Sequence, residues 1–239
     1  MVNFKEDERL TTLNHSCAHV MAQAVKHLYP HAKFWVGPVV KEGFYYDIDL
    51  GNDVVNDEVI AAIEKEMKKI IKKGDKLEYF TLPKDEAIKL MTERDEPYKV
   101  EMIKEHGDDE TLSFYQQGDF IEFCAGPHLM STKQIKAFKL TSSSGAYWRG
   151  DEHNKMLQRI YAISFPKASQ VDEYMQQLEE ARQRDHRKLG KDLELFMTSP
   201  LVGSGLPMYL PNGATVRRLL ERYIQDQGIE KPKRKYIKR

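Results

Sequence analysis

Two stretches of helical periodicity, Thr11 to Tyr29 and about Asn56 to Lys73, gather their apolar residues on one side each. A helix with a single apolar stripe must bury that stripe against another layer, so these stretches constrain the fold more than any other feature. In the first, at about 100° per residue, Leu13, Cys17, Met21, Ala24, Val25 and Leu28 share an arc; Thr11 or Thr12 is the predicted cap and Pro30 the stop. In the second, Val59, Ile60, Ile63, Met67, Ile70 and Ile71 face one way, and a run of Lys and Glu faces the other. The covering layer is predicted to be β. Aromatic and β-branched runs lie at Lys33 to Gly37, Phe44 to Asp49, Leu77 to Leu82, Leu112 to Tyr115, Phe120 to Phe123 and Met156 to Phe165, separated by turn formers such as Gly37-Pro38. Shorter helices are predicted at Lys84 to Arg94 and Tyr98 to His106. Strand clusters and helices without regular βαβ alternation make this an α+β chain.

After Phe165 the character changes. Ala168 to Leu195 reads as one strongly charged helix with Val171, Tyr174, Met175, Leu178 and Ala181 on one face. A segment rich in Pro and Gly follows, then a helix from Ala214 to about Ile224, then a basic tail from Lys231. The 41% hydrophobic and 31% charged residues suit a globular protein, and Lys+Arg 37 balances Asp+Glu 37, so any nucleic-acid surface has to be local. Two cysteines do not make a disulfide scaffold and suit a reducing compartment. Neither a signal peptide nor an apolar run of about 18 residues is present, so a cytoplasmic protein without a membrane partner is expected.

The candidate site lies in two motifs, His15-Ser-Cys-Ala-His19 and Cys124-Ala-Gly-Pro-His128. His15 and His19 sit one helical turn apart and off the apolar arc, whereas Cys17 sits on it and is expected to pack. Phe120 to Phe123 runs straight into Cys124 and a Gly-Pro turn, which puts Cys124 and His128 at a sheet edge, where loops carry function. Four such side chains can bind a metal, move a proton or hold a water. The residue types alone suit zinc.

Further stretches coincide with these: Gly43-Phe-Tyr-Tyr-Asp47, Tyr98-Lys99-Val100, Gly145-Ala-Tyr-Trp-Arg-Gly-Asp151, Asn154-Lys-Met-Leu-Gln-Arg-Ile-Tyr161 and Asp185-His-Arg-Lys-Leu-Gly190. In this order they resemble bacterial-type threonyl-tRNA synthetases. The resemblance implies that residues 1–166 are an editing domain of the kind shared with alanyl editing proteins, 167–195 a linker helix, and 196–239 the incomplete start of a class II catalytic core with a basic tail. The family's N-terminal ubiquitin-like domain, the core's zinc ligands and the class II elements that clamp ATP are not found, so ligation is not expected of this chain. Hydrolytic editing of Ser-tRNA(Thr) is the implied activity, with the 3′ seryl-adenosine end of tRNA(Thr) as substrate; a non-catalytic tRNA-binding or structural remnant is the alternative. The homodimer, ATP and core zinc belong to the full-length family.

Carried onto this sequence, the family's editing site falls on His15, His19, Tyr46, Lys99, Cys124 and His128. His15 and Lys99 are expected to act in catalysis, and His19, Tyr46, Glu122, Cys124 and His128 to bind and shape the substrate. Glu122 stands where the family often has Asp, which adds one methylene to the carboxylate's reach. The threonyl branch implies no cofactor for editing, while zinc, if bound, would take His15, His19, Cys124 and His128. Tyr147-Trp148-Arg149 reads either as a stacking platform for a tRNA end or as a packed loop.

Overall fold

The computed structural model describes residues 2–107, 111–203 and 205–227; the basic tail lies outside them. The chain divides into two compact units, Met1–Tyr174 and Met175–Arg239.

In the first unit, α1 (Glu8–Leu28) starts earlier than the periodicity predicts, because the Asp7 carboxylate accepts from the Arg9 and Leu10 N–H groups and is the better cap. Thr11 is not the cap; its hydroxyl donates to the Phe4 carbonyl. After α1 come β1 (Lys33–Phe34), β2 (Val39–Val40), β3 (Gly43–Asp49), α2 (Asp57–Lys73), β4 (Leu77–Pro83), α3 (Lys84–Glu93) and α4 (Pro97–Lys104). The unit continues with β5 (Thr111–Gln117), β6 (Phe120–Phe123), β7 (Ala137–Tyr147) and β8 (Met156–Phe165), and closes with the start of α5 (Ala168–Gln183). Asn56 caps α2, and Gly74, at φ 78°, ends it in the left-handed conformation that glycine adopts without steric cost.

Two antiparallel sheets result. One has five strands in the order β1-β3-β8-β7, with β2 also paired to β3; the other has the order β4-β5-β6. β7 is absent from the sequence reading. Its centre, Ser142-Ser143-Ser144-Gly145, has poor strand propensity, yet it pairs along β8 from Ala137↔Phe165 to Tyr147↔Met156, with one register shift between Leu140 and Ser142.

The smaller sheet separates two cores by its pleat. Leu112, Phe114, Ile121 and Phe123 face α3 and α4, where they pack with Ala87, Met91 and Ile103. Phe120 and Glu122 alternate with Ile121 and Phe123, so their side chains point to the opposite face; Phe120 meets Phe34 from β1. Between the two sheets runs α1. Its Asn14 amide donates to the Ser164 carbonyl in β8 and its Gln23 amide to the Gln117 carbonyl in β5. From Leu13 to Val25 every residue of α1 except His15 is buried. The helix therefore has a polar face that is covered by protein.

The second unit contains the end of α5, α6 (His186–Asp192), β9 (Phe196–Met197), β10 (Met208–Tyr209) and α7 (Pro211–Asp226). The predicted single helix over 167–195 is two, broken at Arg184, because the Asp185 carboxylate accepts from the Arg187 and Lys188 N–H groups and starts a new helix. Val171 and Tyr174 are buried in the first unit, and the Tyr174 hydroxyl donates to the Glu42 carbonyl. β9 pairs antiparallel with β10. Gly213 lies so close to the Leu195 carbonyl that a Cβ there would sit 1.8 Å from its oxygen. Among the described residues no helix is long and apolar enough to cross a membrane.

Candidate functional site

His15 and His19 project from the covered polar face of α1 toward the loop that leaves β6. That loop brings Cys124 Sγ to 3.2 Å from His15 Nε2 and 3.3 Å from His128 Nε2, and the Gly126 N–H donates to the same sulfur at 3.3 Å. The rings of His15 and His19 lie 4.2 and 4.0 Å from that of His128, centroid to centroid. One ligand atom from each of His15, His19, Cys124 and His128 lies within 4.8 Å of all the others. All four residues named from the sequence thus converge, across 109 residues of chain between His15 and Cys124.

Burial keeps this group uncharged. It lowers the pKa of His15, an effect that Glu122 partly opposes, and holds His19 well below the ordinary imidazole range. Burial, reinforced by the neighbouring His15, lowers His128 to about 3, and burial pushes the Cys124 thiol up to about 11. His19 Nδ1 is buried without a hydrogen-bond partner among the described residues. Neutral imidazoles keep a lone pair for a proton or a metal. Cys17 is separate from the site: it is fully buried on the apolar arc, and burial pushes its thiol up to about 12, as a packing residue.

A second group stands beside the first. Lys99, from α4, forms an ion pair with Glu122 Oε1, and the Tyr46 hydroxyl, from β3, donates to Glu122 Oε2 at 2.5 Å. Lys99 Nζ is also 3.4 Å from the Tyr46 oxygen. The three residues are 4%, 3% and 1% exposed respectively, a burial that two charges tolerate only when they are paired and hydrogen-bonded. Glu122, expected to contact substrate, spends both carboxylate oxygens on Lys99 and Tyr46. Tyr45 points to the other face of β3, under the Arg159 guanidinium at 3.9 Å, as the strand period requires.

A cleft of about 210 Å³ joins the two groups; His15, His19, Tyr46, Lys99, Glu122 and Cys124 line it. His128 stands behind Cys124 and does not line it. Gly37 and Pro38 form part of the wall, and the Gly37 backbone lies on the Tyr46 ring so closely that a Cβ would fall 2.4 Å from Cδ2. The sequence reading passed over Gly37, Met102 and Ser16; the last bonds to His128 Nδ1. Ser16 had a legible signal, its place one residue after His15. In the Tyr147-Trp148-Arg149 segment Trp148 is half-buried against Tyr98 at 5.3 Å and Arg149 pairs with Glu105 and Glu101, while Tyr147 is exposed.

Comparison with known proteins bears directly on this constellation. Residues 112–161 match the family model described as the threonyl and alanyl tRNA synthetase second additional domain. The chain is 52% identical over 227 residues, 95% of its length, to a threonine–tRNA ligase of Acetivibrio thermocellus. It is homologous to the threonine–tRNA ligases. Corresponding ligases of a Geobacillus species and of Caldanaerobacter subterraneus subsp. tengcongensis are 53% and 51% identical over 93% and 97% of this chain. The chain spans 35%, 34% and 36% of the length of these three relatives. The matched segment of the family model contains Glu122, Cys124 and His128 but not α1, so the structure joins a matched half of the site to a half outside the match.

Proposed function

We propose that this chain hydrolyses the seryl ester of mischarged Ser-tRNA(Thr). The supporting observation is that neutral imidazoles and the buried Lys99 cation line one small cleft. Ester hydrolysis needs a base for the attacking water, positive charge for the carbonyl oxygen, and a proton for the leaving ribose hydroxyl. His15 is half-buried and lines the cleft, so it can take the proton from water as the water oxygen bonds to the ester carbon. Lys99, held by Glu122, stabilises the oxyanion. As the tetrahedral intermediate collapses and the ester bond breaks, the imidazolium returns its proton to the ribose oxygen, leaving serine and tRNA(Thr). His19, Tyr46 and Cys124 shape the pocket and exclude the extra methyl of threonine, and His128 supports Cys124 from behind. Such a second sieve is needed because one methyl in a synthetic pocket discriminates by only about 1–3 kcal/mol.

This reading requires no cofactor, assigns no ATP-dependent ligation to the chain, and places it with tRNA in the cytoplasm. Deacylation of Ser-tRNA(Thr) compared with Thr-tRNA(Thr) tests it. Serine should be released preferentially, and His15→Ala and Lys99→Ala should each slow release by about 10²–10⁴-fold. Equal, slow loss from both substrates, unaffected by the substitutions, would leave only the non-catalytic tRNA-binding or structural reading.

The quartet's geometry favours a second reading, a metal at the same place. Zinc bonds of about 2.0–2.1 Å to nitrogen and 2.3 Å to sulfur set tetrahedral N···S edges near 3.5 Å, and the Cys124 edges to His15 and His128 are 3.2 and 3.3 Å. The residues therefore fit zinc, with His15, His19, Cys124 and His128 as ligands. With all four as ligands the tetrahedral shell would be full, so zinc would supply an acidified water only in place of one of them, beside Lys99 and Tyr46 in the cleft. One equivalent of zinc in protein purified without chelator, with deacylation lost on its removal, would favour this reading over the metal-free one.

A further inference from the structure

Ser16 lies between the two histidines of α1 and is fully buried. Three groups surround its hydroxyl. The oxygen is 2.9 Å from the Thr12 carbonyl, which can only accept, so the single hydroxyl hydrogen is directed there. The Leu129 N–H donates to the same oxygen at 2.9 Å. The third partner is His128 Nδ1 at 3.1 Å. With the hydroxyl hydrogen already used, this contact is a hydrogen bond only if Nδ1 carries the proton and donates.

We infer that Ser16 is a positioning residue: it docks the Cys124–Leu129 loop on α1 and fixes His128 as the Nδ1–H tautomer, with the Nε2 lone pair directed at Cys124. The inference rests on the proposed hydrolytic reading for its consequence, though not for its geometry. A neutral imidazole has one donor and one acceptor nitrogen, and a hydrogen bond at one end determines which end is which. In this cluster that choice determines whether the thiol hydrogen of Cys124 has an acceptor in His128. It also leaves His15 Nε2, 3.2 Å from the same sulfur, available to the cleft. The opposite tautomer would set an N–H against Cys124 Sγ and leave Nδ1 facing Ser16 with no donor.

The tautomer is directly measurable. In the full chain labelled with ¹⁵N-histidine, the His128 signals, assigned by their loss in His128→Gln, should show a protonated Nδ1 and an unprotonated Nε2 at neutral pH. Ser16→Ala should abolish that pattern and lower kcat for Ser-tRNA(Thr) release about 10–100-fold with KM little changed, the usual scale for a group that orients a reacting side chain. Ser16→Thr, which keeps the hydroxyl, should restore both. Circular dichroism confirms that each variant is folded; if Ser16→Ala is not, the wild-type spectrum alone decides the tautomer. A proton on Nε2 in the wild type, or an unchanged pattern in folded Ser16→Ala, overturns the inference. A changed tautomer with unchanged kcat overturns the positioning role. If the wild type shows the Nδ1–H pattern but releases no serine, the hydrolytic reading fails and the tautomer assignment stands.

Discussion

Glu122 is where a single side chain does most to hold the candidate site together. Its carboxylate is the ion-pair partner of Lys99 and the acceptor for Tyr46. Glu122→Gln would leave a buried ammonium without a counter-charge, and urea denaturation should show a loss of about 3–5 kcal/mol. Glu122→Asp keeps the charge but shortens the reach, so its loss should be smaller, and it should weaken the Tyr46 or the Lys99 contact rather than both. His27 gives a pH signature of opposite character to the site histidines. Desolvation lowers its pKa, but the bonds to Glu66 and Asp119 outweigh that and leave it raised. A raised folded-state pKa means that the stabilisation is complete below the unfolded value of about 6.5 and is lost as pH rises through the folded value. Because the ring is partly exposed and screened, the effect should stay below about 1 kcal/mol. The stability difference between wild type and His27→Gln should accordingly shrink on going from about pH 6 to about pH 9.

Among the elements, α1 and the β1–β2 segment set the site. Helical periodicity correctly located the apolar arc of α1 and put His15 and His19 off it, but an off-arc face is ordinarily read as a wet one. Here it is covered by β5 and the loop after β6, whose contacts to α1 lie 94 and more residues away. The run from Lys33 to Gly37 reads as one strand; only Lys33–Phe34 of it is one, β1, and β2 lies beyond Gly37-Pro38, where the Gly37 backbone rests on the Tyr46 ring. Gly37→Ala would drive a Cβ into that ring. Overpacking of this kind costs about 1–3 kcal/mol, and the variant should combine a lower melting midpoint with slower deacylation as Tyr46 is displaced from Glu122. At the start of α1, Asp7→Ala removes a cap and should cost about 0.5–2 kcal/mol, with the deacylation rate per folded molecule unchanged.

For the molecule as a whole, the two compact units predict separable behaviour. The first has its own cores on both faces of the smaller sheet and is closed by Tyr174, whose ring packs on Phe4 and Phe165. A chain ending at Gln183 should melt within a few degrees of the full chain and keep the deacylation rate; a molten first unit would show that residues beyond Gln183 complete its core. In the second unit, Val216, Leu219, Leu220 and Tyr223 of α7 are exposed. The α+β class, most strands, the amphipathic helices and the quartet His15, His19, Cys124 and His128 were legible in the sequence, since these depend on short-range periodicity and recognisable residue types, whereas Tyr46, Lys99 and Glu122 were named only through the family resemblance. Tertiary packing alone makes the Ser-rich β7 a strand, covers the polar face of α1, sets Glu122 against Lys99 and Tyr46, and sets Ser16 against His128. Each of these depends on a partner distant in the chain, and local sequence carries no record of which partner will satisfy a given hydrogen bond or charge.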